Sequence, residues 1–129
     1  MKTNLKITVG VLTGIALGIA GTAALHAQQS KAVPGYFIAE VEVTDMALMK
    51  EYGSKVPESL VPFNHRYIIR DAKPISLEGE PPKGIVVIAF DSVENAQAWY
   101  NSPAYSAIRP IRERAAKTRA FIAKGVAAE

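Results

Sequence analysis

The stretch Gly84–Phe90 reads GIVVIAF, without a charged or hydrogen-bonding side chain. It follows a Pro81-Pro82 turn and precedes Asp91-Ser92, and its β-branched content marks it as a strand. A strand that is apolar on both faces has to be covered on both, so it belongs at the centre of a sheet. The rest of the chain must therefore supply strands on either side of it, helices over one face and a cover for the other.

The neighbouring segments meet that demand. Tyr36–Val43 (YFIAEVEV) and His65–Asp71 (HRYIIRD) read as strands, and Thr118–Lys124 (TRAFIAK) as a last strand ended by Gly125. Thr44 or Asp45 can cap a helix over Met46–Val56, in which Met46, Met49 and Tyr52 recur at helical spacing; Pro57 and Pro62 are expected to break it. Asp91 or Ser92 caps a second helix over about Val93–Tyr100. Ser102-Pro103 restarts it to about Lys117, with a distortion expected at Pro110. The order strand, helix, strand, strand, helix, strand predicts an α+β, ferredoxin-like βαββαβ sandwich. It has one four-stranded antiparallel sheet with the helices on one face.

The N-terminus has a different character. Lys2 and Lys6 precede the uncharged run Ile7–Leu25, which ends in His26-Ala27, the layout of a secretory signal peptide over residues 1–27. The alternative is a retained membrane anchor, with Gly10, Gly14 and Gly18 as a small-residue ladder. Residues 28–34 then read as a linker and 35–129 as the folded domain, in a periplasmic or secreted location. Taking Lys2 and Lys6 from the 15 basic residues leaves 13 against 12 acidic ones, so the +3 of the whole chain falls to +1. No run of lysine and arginine is left to track a phosphate backbone, which argues against nucleic-acid binding. The absence of cysteine excludes a disulfide scaffold, a cysteine zinc site and a thiol nucleophile. No cofactor or metal motif is present: His65 stands alone at a strand entry, and no phosphate-cradling glycine loop occurs.

Alternation along the strands places Tyr36, Ile38, Glu40, Glu42, Arg66, Ile68, Arg70, Ile85, Val87, Ala89, Phe121 and Ala123 on the sheet face away from the helices. Leaving such a face in water is unfavourable, and pairing with a second copy would cover it, so a homodimer is expected. Glu40 or Tyr36 would serve for proton transfer and Arg66 or Arg70 as a carboxylate clamp. A purely structural pairing of Glu40 or Glu42 with Arg66 or Arg70 explains the same residues. Arg112 lies two helical turns after Tyr105, so both can share one helix face.

Several of these segments together resemble a known family. Tyr36–Val43, Phe63–Arg70, Gly84–Phe90, Arg112 and above all Ala98-Trp99-Tyr100-Asn101-Ser102-Pro103-Ala104-Tyr105 are similar to the domain of unknown function 1330. The resemblance covers about Pro34 to Val126 and implies a dimeric α/β barrel, with no established reaction. Asn64-His65 stand where the family often has Gly-Gly, and Ala89 where it often has Glu. Three functions are expected on this basis. One is a dimer binding a small organic molecule, an anion among the candidates, in a cleft between sheet and helices lined by Tyr36, Arg66, Arg70, Trp99, Ser102, Tyr105 and Arg112. The second, by fold analogy, is a cofactor-independent monooxygenase- or isomerase-like enzyme. The third is a structural dimer without ligand.

Overall fold

The computed structural model describes residues 32–129; the leader expected over 1–27, and the linker up to residue 31, lie outside the described residues. In chain order the elements are β1 (Gly35–Val43), α1 (Met46–Leu60), β2 (His65–Ala72), β3 (Ile85–Phe90), α2 (Val93–Tyr100), α3 (Pro103–Ala115) and β4 (Ala116–Lys124). The strands form one antiparallel sheet in the order β2-β3-β1-β4, the ferredoxin-like arrangement. The apolar β3 is an interior strand, as its composition requires.

The helices cover the face that carries Phe37, Ala39, Ile88 and Phe90, all buried against Trp99, Tyr105 and Leu60. Caps set the helix starts. Asp45 accepts from Leu48 N at 3.1 Å, Ser92 from Asn95 N at 3.1 Å and Ser102 from Tyr105 N at 3.2 Å. Gly35 is required by close approach: a Cβ there would lie 2.5 Å from the Ser92 carbonyl oxygen.

Two boundaries differ from the sequence expectation. The first helix does not break at Pro57 but runs on to Leu60. Its last turn buries Val56, Ser59 and Leu60, and Ser59 Oγ accepts from Trp99 Nε1 at 3.1 Å and donates to Val56 O at 2.7 Å. This packing offsets the hydrogen bond that proline cannot donate. Likewise β4 starts at Ala116 rather than Thr118, because α3 passes into extended backbone at Ala116 with no loop between. The carbonyl of Ala115, left over at the helix end, accepts from Thr44 N at 2.8 Å and Asp45 N at 3.0 Å, which ties the end of α3 to the end of β1.

The largest correction concerns β2. Tyr67 pairs with Ile88, but Ile69 pairs with Val87 and Ala72 with Ile85, so β2 holds two more residues than the β3 segment opposite. Each extra residue reverses the facing of the side chains after it. Asp71, at the second irregularity, has a left-handed backbone with φ 51°. As a result Ile69, not Ile68, stands in register with the open-face residue Val87, and Arg70 leaves the open face for the helix side. Asn64 keeps an ordinary backbone angle and donates to Asp91 Oδ1 at 3.0 Å; the turn does not use the left-handed geometry that glycine offers there. Among the described residues no helix is long and apolar enough to cross a membrane.

Candidate functional site

Between α1 and the sheet lies a cavity of about 580 Å³. Its floor is the helix-side stripe of β1 and β3: Phe37, Ala39, Val41, Val86 and Ile88. Its roof is the stripe Met46, Met49, Tyr52, Gly53 and Val56 of α1, where Gly53 leaves open space. These are side chains an apolar ligand body can replace water against. Trp99 and Arg112 close one part of the wall.

Arg112 is the unusual member. Only 6% of it is exposed, and its Nη1 donates to Tyr105 Oη at 2.8 Å. Tyr105 Oη in turn shares a hydrogen with Tyr52 Oη, also at 2.8 Å. No carboxylate pairs with this guanidinium among the described residues, and its buried Nε has no hydrogen-bond partner. Burial drives the phenol pKa values of Tyr52 and Tyr105 upward, so both stay protonated at neutral pH. Burial works against the charged form of Arg112, but the phenols of Tyr105, Tyr52 and Tyr100 outweigh it, and its pKa moves up. The site therefore keeps a full positive charge on an apolar wall, surrounded by neutral hydroxyls.

The seven residues expected to line one cleft are divided by the fold. Trp99, Arg70 and Arg112 line the cavity. Tyr105 is wholly buried behind it and holds Arg112 in place. Ser102 is a helix cap whose Oγ also donates to Trp99 O at 2.7 Å. Tyr36 and Arg66 both stand in register with Ala89, on the face away from the helices, and cannot share a cleft with Arg112. Glu40 is on that same face and pairs neither with Arg66 nor with Arg70. Its carboxylate meets Arg119, its cross-strand partner, at 3.3 Å. His65 is exposed, its Nδ1 within 2.8 Å of Phe63 O.

Tyr52 is a site residue that the sequence reading misses, although the helical spacing of Met46, Met49, Tyr52 and Val56 with Gly53 among them carries the signal. Lys50, Asp71, Lys73 and Lys83 at the mouth are missed too, because single charges in loops and on helix faces look like any solvated surface.

The four-stranded antiparallel sheet with helices on one face, enclosing a cavity against it, defines a ferredoxin-like α+β domain. Residues 34–126, most of the chain, match the family described as "Domain of unknown function (DUF1330)", and the chain belongs to it. No curated protein matches. Among solved structures, a protein of unknown function from Rhodopseudomonas palustris, RPA0582, is similar at 15% identity and a TM-score of 0.60, covering 80% of this chain and 92% of that one. A protein from Thermobifida fusca, described as dimeric, ferredoxin-like and of unknown function, is similar at 14% identity and a TM-score of 0.50, covering 72% and 92%. At such identity these likenesses establish the fold.

Proposed function

We propose that this protein binds a small organic anion with an apolar body, held between α1 and the sheet with its acidic group at Arg112. The observation that carries this reading is the buried, carboxylate-free guanidinium on the wall of an apolar cavity. A charge with unused donors in that position is costly unless a partner arrives, and a carboxylate fits it best. Glu40 and Tyr36, the residues considered for acid–base catalysis, stand on the opposite sheet face, so nothing at the cavity favours an enzyme acting through them. Octanoate and octanol have matched chains and differ at the head group. A charge-assisted hydrogen bond contributes about 1.5–3 kcal/mol, so octanoate should bind roughly ten- to a hundredfold more tightly in calorimetric titration. Equal affinity for acid and alcohol would overturn the reading.

We further propose that the binding unit is an exported homodimer. On the open sheet face Ile38, Val87 and Ala89 adjoin Phe121, which is 45% exposed, and Ile69 extends the patch on β2. An apolar surface of this kind favours association. The Thermobifida fusca neighbour is described as dimeric, which supports association of two copies. Protein recovered from its own host should run in light scattering at twice the chain mass, with an N-terminus at Gln28. A single-chain mass would reject the dimer, and an N-terminus at Met1 would reject export.

A further inference from the structure

We infer that the ligand is a dianion, an apolar chain or ring with one anionic group at Arg112 and a second at the cavity mouth; this rests on the binding reading above. The mouth gathers charge from separate parts of the chain. Lys50 comes from α1, Arg70 from β2, and Lys73 and Lys83 from the two ends of the β2–β3 connection; Asp71 is the one carboxylate among these lining residues. Four cations against one carboxylate is a surplus of +3. With Lys2 and Lys6 of the leader set aside the chain carries +1, so the residues away from this opening sum to −2, and positive charge is concentrated here and not spread as a solubilising coat.

Arg70 is at the mouth because of a local backbone device. Simple alternation would carry it to the open face; the first irregularity of β2, between Tyr67 and Ile69, turns it to the helix side, and the left-handed Asp71 follows it. There its guanidinium sits 4.7 Å from the centroid of the Tyr67 ring, a cation–π seat that orients the side chain without consuming its hydrogen-bond donors. Its contact with Asp71 is loose, at 3.9 Å with both side chains exposed.

The two guanidiniums are carried by different elements of the fold. Arg112 comes from α3, whose end is tied to β1, whereas Arg70 comes from β2, two strands away in the sheet order. At roughly 4.8 Å per strand that step alone is about 10 Å. A single small anion satisfies one end; a molecule with an acidic group at each end satisfies both while its middle lies over Phe37, Ala39 and Ile88.

Suberate and octanoate test this, because they share a chain length and differ by the second carboxylate. In calorimetric titration of the full chain at low salt, suberate should bind at least tenfold more tightly than octanoate. The variant Arg70→Gln/Lys83→Gln should bring suberate down to within about threefold of octanoate, whereas Arg112→Met should weaken both acids. Equal affinities in the unmodified protein, or a suberate preference that survives Arg70→Gln/Lys83→Gln, would overturn the dianion while leaving the anion site intact. If neither acid binds, the anion site itself fails, and the dianion with it.

Discussion

Trp99→Ala lowers the unfolding free energy of the domain by about 3–5 kcal/mol, measured by urea denaturation followed by circular dichroism. Trp99 is fully buried, and three rings surround it: Phe37 at 5.1 Å, Phe90 at 5.4 Å and Tyr105 at 4.1 Å between centroids. Its indole N–H donates to Ser59, which fastens the last turn of α1. Truncation therefore opens a cavity at the point where α1, α2, α3 and the sheet converge. Total stabilities of small domains are about 5–15 kcal/mol, so this is a large share, equivalent to more than about 12 °C in melting temperature. Trp99→Phe keeps most of the packing and should lose much less. A loss under about 1 kcal/mol for Trp99→Ala would mean that the core is not centred on this residue.

Arg112→Met separates binding from stability. Methionine matches much of the stem of arginine and removes a charge that is buried at 6% exposure without a carboxylate. The fold should tolerate it, with a change in unfolding free energy within about 1.5 kcal/mol, because an apolar replacement ends the desolvation penalty. Octanoate affinity should fall by roughly ten- to a hundredfold as the charge-assisted contact is lost. Tyr105→Phe behaves in the opposite manner. It removes the acceptor of Arg112 Nη1 and the partner of Tyr52 Oη, leaving buried groups unsatisfied at a cost of about 1–3 kcal/mol. If Arg112→Met instead collapses the fold with octanoate binding unaffected in the surviving fraction, the guanidinium is a structural strut and not a ligand contact.

Most of the architecture is legible in the chain because composition and period agree in it. GIVVIAF reads as an interior strand, Asp45 and Ser92 are the members of their candidate pairs that cap, Ser102 caps as expected, and the alternation of β1 sorts Phe37 and Ala39 from Tyr36 and Ile38 correctly. The interval between Tyr105 and Arg112 on one helix gives the hydrogen bond that defines the site. The exception is β2, where simple alternation misplaces Ile69 and Arg70. Nothing in HRYIIRDA announces an extra residue, since a bulge answers to the pairing partner and not to local preference. Because a slip of one residue reverses a face, that small difference moves Arg70 across the whole sheet. The Tyr52–Tyr105 contact is hidden for a related reason: it joins residues on two helices, and no periodicity within either helix reports it.

The irregular β2 also bears on how copies of the domain can meet. It is an outer strand of the sheet, and the other outer strand, β4, carries Lys117, Arg119 and Lys124. A buckled border with Arg66 and Arg70 on one side and a cationic border on the other both resist the strand-to-strand joining that extends sheets from molecule to molecule. Growth into fibrils through the rims is thereby discouraged, which leaves the broad face for the pairing proposed above, and a two-fold pairing there would close at two copies.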